Sequence, residues 1–101
     1  MILHGHPFSS YTWKALIALY EKDLPFTLQS VGDDVEAGSE KTGRLNQLWP
    51  PGTFPVLEDG DAVFIESSIL IEHLDLAYPE TSRLIPPNPA EALDVRFMDR
   101  L

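Results

Sequence analysis

The chain has 101 residues, 44% of them hydrophobic, which suffices for one modest core and leaves too little for two independent domains. Its net charge of -9, with only seven Lys and Arg spread along the sequence, argues against clustered phosphate recognition and so against a nucleic-acid partner. Zero cysteines remove a disulfide framework, a thiolate metal site and a redox pair together, and the lack of a long apolar run or a charged-then-apolar leader makes a cytoplasmic protein without a membrane partner the expectation.

Residues 1–5 open with a short apolar stretch, and Pro7, Ser9 and Ser10 precede a helical run over residues 14–22, in which Ala15, Leu16, Leu19 and Tyr20 can share a face. Leu24 and Pro25 interrupt that helix. Phe26, Leu28 and Ser30 then alternate with Thr27, Gln29 and Val31, as a strand requires. Residues 32–49 are polar and carry Gly38 and Gly43, each costing about 1 kcal/mol relative to Ala within a helix, so a short, weakly held helix is expected there.

Residues 54–58 and 61–65 flank Asp59-Gly60, a pair suited to the positive φ angles of a type I′ turn, and predict a hairpin. After Glu66, Ser67 and Ser68, residues 69–78 place Leu70, Leu74 and Ala77 along one helical face, and Pro79 stops the run. The predicted order is βαβαββα. Pro86, Pro87 and Pro89 form a stiff connection, and Asn88 with Pro89 and Glu91 supplies an N-cap, a first-turn proline and a first-turn acid for a further helix. Its stripe of Leu93, Phe97 and Leu101 runs to the last residue without a terminator, which predicts that the natural protein continues.

The segments HPFSSYTWKALIALYEKDLPF and TFPVLEDGDAVFIESSILIEHL, in this element order, resemble a glutathione transferase from the first strand through residue 85. The stretch from Ser9 to Lys14 is similar to the serine-type active site of zeta-like members. The resemblance implies an α/β fold: a thioredoxin-like domain with a four-stranded mixed sheet over residues 1–85, followed by a linker and the first helix of an all-α domain over residues 86–101. It further implies glutathione and a small electrophile as partners, a homodimer, and a role in detoxification.

On that match Ser9 takes the catalytic place, donating a hydrogen bond that favours the thiolate of glutathione. A thiol pKa of about 8.5 falls by two units for roughly 2.7 kcal/mol of preferential thiolate stabilisation. A hydrogen bond to a charged group contributes about 1.5–3 kcal/mol and a helix N-terminus about 0.3–1 kcal/mol, which together suffice. Ser9 or Ser10 can equally serve as a helix cap, and Ser10 and Tyr11 stand beside Ser9 as alternatives for thiol activation.

In Phe54-Pro55-Val56 the resemblance implies a cis proline, with the Val56 backbone exposed to pair with the cysteinyl backbone of glutathione as an added strand. A proline that simply starts an edge strand is the structural alternative. Glu66 can meet the γ-glutamyl ammonium, while Ser67 and helix N-terminal amides receive its carboxylate; Ser67 or Ser68 could instead cap that helix. Trp49-Pro50-Pro51-Gly52 departs from the family pattern, leaving Lys41, Trp49 and Thr53 as candidates for the glycyl carboxylate, with Trp49 read mainly as packing.

His4 and His6 share a strand face without a third ligand, so no metal is assigned; His4 is expected to pack at the end of the strand, His6 to lie in a loop beside the active site, and His73 on a helix surface. The competing function is a non-catalytic interaction module on the same fold. The electrophile is not encoded in these residues.

Overall fold

The computed structural model describes residues 1–30, 47–51 and 53–100. Ile2–Gly5 forms β1, Ser10–Glu21 α1, Thr27–Ser30 β2, Val56–Asp59 β3, Ala62–Ile65 β4, Ser67–Ala77 α2 and Pro89–Asp99 α3. The weak helix expected between residues 32 and 49 lies mostly outside the described residues; 47 and 48, at its end, are helical.

The strands form one mixed sheet in the order β2-β1-β3-β4, with β1 parallel to β2 and both other pairings antiparallel. A parallel neighbour needs a crossover, and α1 supplies it. Alternation then sorts the strand residues between two faces. Leu3 and Leu57, paired in register, join Ala15, Leu16, Ala18 and Leu19 of α1 and Leu70 and Leu74 of α2 in the main core. On the opposite face Val56 packs with Leu48, Trp49, Phe54 and Ile65.

Helix α1 begins four residues before the expected start because Ser9 caps it. Its buried stripe is therefore Thr12, Ala15, Leu16 and Leu19, the i, i+3, i+4, i+7 set, with Ala18 beside it. Tyr20, expected on that face, falls on the flank and is exposed, with its ring 5.4 Å from Phe26. In α2, Leu70 and Leu74 are buried as expected, but the stripe extends back to Ser67 while Ala77 is exposed.

The hairpin turn is shifted by one residue from the expectation. Asp59 pairs with Ala62, so Gly60 and Asp61 form the loop, and Gly60 alone takes a positive φ, +61°. That is the requirement of a type II′ turn, whose first central residue is glycine, and not of type I′. Asp59 is freed to accept hydrogen bonds from Tyr78 Oη, at 2.8 Å, and to pair with His73 Nε2 at 2.8 Å. Burial raises the Asp59 carboxyl, but these partners outweigh it and hold the group below the usual range. His73 also stacks on Phe64 at 3.8 Å, so it buttresses the hairpin and is not the free surface residue expected.

Asn88 accepts from Ala90 N–H and Glu91 N–H at 3.0 and 3.1 Å and starts α3 as predicted. Leu93 and Phe97 are exposed, however, and Ala92 is the residue of α3 that is buried. The helix is held by ion pairs at its other edge: Arg96 with Glu72 at 2.7 Å, and Lys14 with Asp99.

One buried charge pair locks the scaffold. Lys22, 4% exposed at the C-cap of α1, places Nζ 2.5 Å from Asp75 Oδ1 and also donates to Ser82 O and Thr81 Oγ1. Asp75 in turn accepts from Leu84 N–H and Ile85 N–H, tying α1, α2 and the connection to α3. Burial raises the Asp75 carboxyl, but the Lys22 ammonium and the two amides overcome this and lower it. Removing one member strands the other, so Asp75→Asn is expected to cost about 3–5 kcal/mol, read as a lower urea midpoint. Because the folded-state value is depressed, this stabilisation is present above about pH 4 and lost as pH falls through the folded value; the variant should therefore unfold with a shallower pH dependence in that acidic range.

Candidate functional site

The site begins with a close approach. A Cβ on Gly5 would stand 2.4 Å from Thr12 Cγ2 and 2.8 Å from Thr12 Oγ1, so glycine is what lets β1 run this near α1. Thr12, fully buried, accepts His6 N–H on Oγ1 and donates its own N–H to Ser9 Oγ, each at 3.2 Å. Ser9 is thus the N-cap of α1. It uses a lone pair for that bond, which leaves its hydroxyl hydrogen free to donate elsewhere. Capping and donation to a ligand are therefore compatible in one side chain.

A cavity of about 520 Å³ opens beside Ser9. It brings together Ser9 and Tyr11 from the start of α1, Phe54 and Pro55 from the approach to β3, and Glu66 and Ser67 from the start of α2. Trp49, Thr53 and Ile65 complete its wall. Ser10 instead lines an adjoining cavity of about 540 Å³, together with Lys14 and Arg100.

The Phe54–Pro55 peptide is cis. Val56, expected to offer its backbone to a ligand, is fully buried and flanked by His4 in β1 and Ile65 in β4. Neighbouring strands occupy both of its sides, so no free edge exists there. Phe54 lies beyond the last register pair and reaches the cavity.

Glu66 occupies the N-cap position of α2, with φ +68° and ψ 121°, a backbone conformation rare outside glycine. Its side chain makes no capping bond, and Ser67 and Ser68 are helical, so neither caps the helix. The first turn of α2 contains no acidic residue. Ser67, in the first turn of α2, lines the cavity, and a helix start without a side-chain cap leaves its first amides and their positive end available there. Trp49 Nε1–H donates to Thr53 Oγ1 at 2.8 Å while its ring packs on Val56, and Lys41 lies outside the described residues.

Two polar residues give the site its shape: Thr12, not among the site residues expected from the sequence, and His6, expected beside the active site. Thr12 interrupts an otherwise apolar stripe three residues after Ser9, a spacing that suits a backbone N–H bonded to an N-cap side chain and is the signal by which it could have been found. His6 is buried at the entrance to α1 and faces Phe54, with ring centroids 6.0 Å apart. His4 is buried as well, with Nε2 2.7 Å from Glu58 Oε2. Among the described residues no cluster of three or more metal-ligating side chains occurs, and no helix is long and apolar enough to cross a membrane.

A sequence model described as the N-terminal domain of glutathione S-transferase matches residues 3–82. The chain belongs to the glutathione S-transferase family. It is 35% identical over 98 residues to a probable maleylacetoacetate isomerase of Vibrio cholerae, covering 97% of this chain and 45% of that protein. It is 39% identical over 72 residues to a glutathione S-transferase of Silene vulgaris, covering 71% of this chain and 32% of that one. The chain thus spans less than half the length of these relatives. Among solved structures, a bacterial zeta-class maleyl pyruvate isomerase superposes with a TM-score of 0.78 at 29% identity, over 97% of this chain and 45% of that one. The four-stranded mixed sheet and its helices are the thioredoxin-like fold of glutathione S-transferases.

Strain at Glu66 gives a direct stability test. Such a conformation costs about 1–3 kcal/mol, while glycine adds an entropic cost of about 0.5–1 kcal/mol. Glu66→Gly is expected to gain about 1 kcal/mol net, raising Tm by about 4–8 °C; an unchanged or lower Tm would mean that the backbone is not strained.

Proposed function

We propose that this chain is the glutathione-binding part of a glutathione transferase, and that it favours the glutathione thiolate for attack on an electrophile in the whole protein. The observation that carries this reading is the shared cavity: the start of α2 without a side-chain cap, the Glu66 side chain, Phe54 ahead of the cis proline and the Ser9 hydroxyl meet in one place.

Each of these groups suits one part of the tripeptide. The α2 amides and Ser67 hydroxyl receive the γ-glutamyl carboxylate, and the Glu66 carboxylate receives the neighbouring ammonium. Phe54, ahead of cis-Pro55, offers main-chain groups to the cysteinyl backbone. Val56 acts beneath it, as the buried end of the strand that holds Phe54 in position. The sulfur then comes to Ser9, at the positive end of α1. Ser9 O–H donates to the thiolate while Thr12 N–H donates to Ser9 Oγ, so the acceptor bond strengthens the donor.

The activated sulfur forms a C–S bond to the electrophile. If a leaving group departs the outcome is transfer; if the adduct collapses with expulsion of the thiolate after bond rotation, the outcome is isomerisation and glutathione is returned. The relatives carry names of both kinds. A cytoplasmic location, a homodimer and a role in detoxification belong to the same proposal and rest on the family.

In the full-length protein, Ser9→Ala should raise the pKa of the bound thiol by about one to two units, the equivalent of one charged hydrogen bond, seen by thiolate absorbance across pH. Thiol-conjugating kcat/KM near pH 6.5 should fall at least tenfold, whereas Tyr11→Phe should leave both unchanged. Unchanged turnover in Ser9→Ala would remove Ser9 from this role. Ser67→Ala, which deletes one ligand bond, should raise the glutathione Kd about three- to tenfold with kcat retained. Absence of calorimetric binding at millimolar glutathione would favour a non-catalytic interaction module.

A further inference from the structure

His6 touches every part of the loop that carries Ser9. Its carbonyl accepts Ser9 N–H at 3.0 Å, its N–H donates to Thr12 Oγ1 at 3.2 Å, and its Nδ1 accepts Phe8 N–H at 3.1 Å. Its ring faces Phe54 across 6.0 Å at an interplanar angle of 23°, and lies 5.5 Å from the Phe8 ring. The imidazole therefore sits between the two halves of the cavity wall: the turn leading to the thiol-activating hydroxyl and the residue ahead of cis-Pro55.

The chemistry of the Nδ1 contact fixes the state of the ring. A backbone N–H only donates, so Nδ1 must be the unprotonated nitrogen, and the neutral ring carries its hydrogen on Nε2. Nε2 is buried and has no hydrogen-bond partner. The hydrogen-bonding contribution of this side chain is thus confined to one acceptor, at Nδ1, while the face of the ring stacks toward Phe54.

We propose that His6 is a positioning residue of the glutathione site, its Nδ1 acceptor fixing the residue 6–9 turn so that Ser9 and Phe54 address one ligand together. This rests on the glutathione reading given above. Loss of the acceptor leaves Phe8 N–H unpaired and loosens the turn, which keeps only the His6 main-chain bonds to Ser9 and Thr12, so the sulfur and the cysteinyl backbone are held by a less preorganised wall. Phe8 itself, 88% exposed, has little else to hold its backbone.

The test compares three variants of the full-length protein in glutathione binding and in conjugation kinetics. His6→Phe keeps a ring of similar size and removes the acceptor. His6→Asn gives up the ring but places Oδ1 near the Nδ1 position, and His6→Gln carries its amide to the Nε2 position, where the structure uses no bond. The expected result is a three- to tenfold rise in glutathione Kd and a comparable fall in kcat for His6→Phe, with most of both recovered in His6→Asn and not in His6→Gln. Wild-type behaviour of a folded His6→Phe overturns the proposal. If that variant shows no cooperative unfolding transition, equal impairment of His6→Asn and His6→Gln overturns it instead. Failure of the unsubstituted protein to bind glutathione would sink the parent reading, and is recorded before any variant is compared.

Discussion

The contact between Gly5 and Thr12 is the constraint on which the site depends. It sets the distance between β1 and α1 at a value that no other residue at position 5 permits without a shift of Thr12 or of one element. From there the chain of hydrogen bonds is short. Thr12 holds the His6 backbone with its side chain and the Ser9 hydroxyl with its own amide, so the strand end, the turn and the helix start are tied together. The apolar stripe of α1 buries Thr12 beside Leu16 and Leu19, and the Lys22–Asp75 pair fixes the far end of the same helix. Placement of Ser9 thereby draws on the whole core.

The second half of the site arises from strand order. Because β3 lies between β1 and β4, its first residue is enclosed, and the backbone becomes available only just before it, at Phe54. The β4 end and α2 start meet at Glu66, where an unfavourable backbone conformation turns the helix N-terminus toward the cavity without a side-chain cap. In the proposed complex a negatively charged chain would receive an anionic group in this way, the favourable field coming from the α2 amides and not from clustered Lys or Arg.

The fold and much of the site were legible where local chemistry and tertiary context agree. Ser9 and Asn88 carry their own capping signals, and each caps its helix where those signals put it; the hairpin forms between the expected strands with its turn moved by one residue. Expectations failed where a neighbour decides. Gly60 leads the turn because Asp59 stays in the strand and is claimed by Tyr78 and His73. Tyr20 leaves the core because the stripe starts at Thr12. Val56 loses its free edge because β1 and β4 flank it, which no reading of one strand reveals. Leu93 and Phe97 remain exposed because α3 docks through Ala92, Arg96 and Asp99 instead.

The central claim is that the α2 N-terminus and the backbone ahead of cis-Pro55 receive the same ligand. Backbone amide resonances followed by NMR during titration with glutathione test it most directly. The account predicts saturable shifts at Ser67 and Ser68 and at Phe54 with one common Kd, while amides on the exposed face of α3, such as Leu93 and Phe97, stay unmoved. Shifts at one of the two segments without the other, or none at millimolar glutathione, would contradict it.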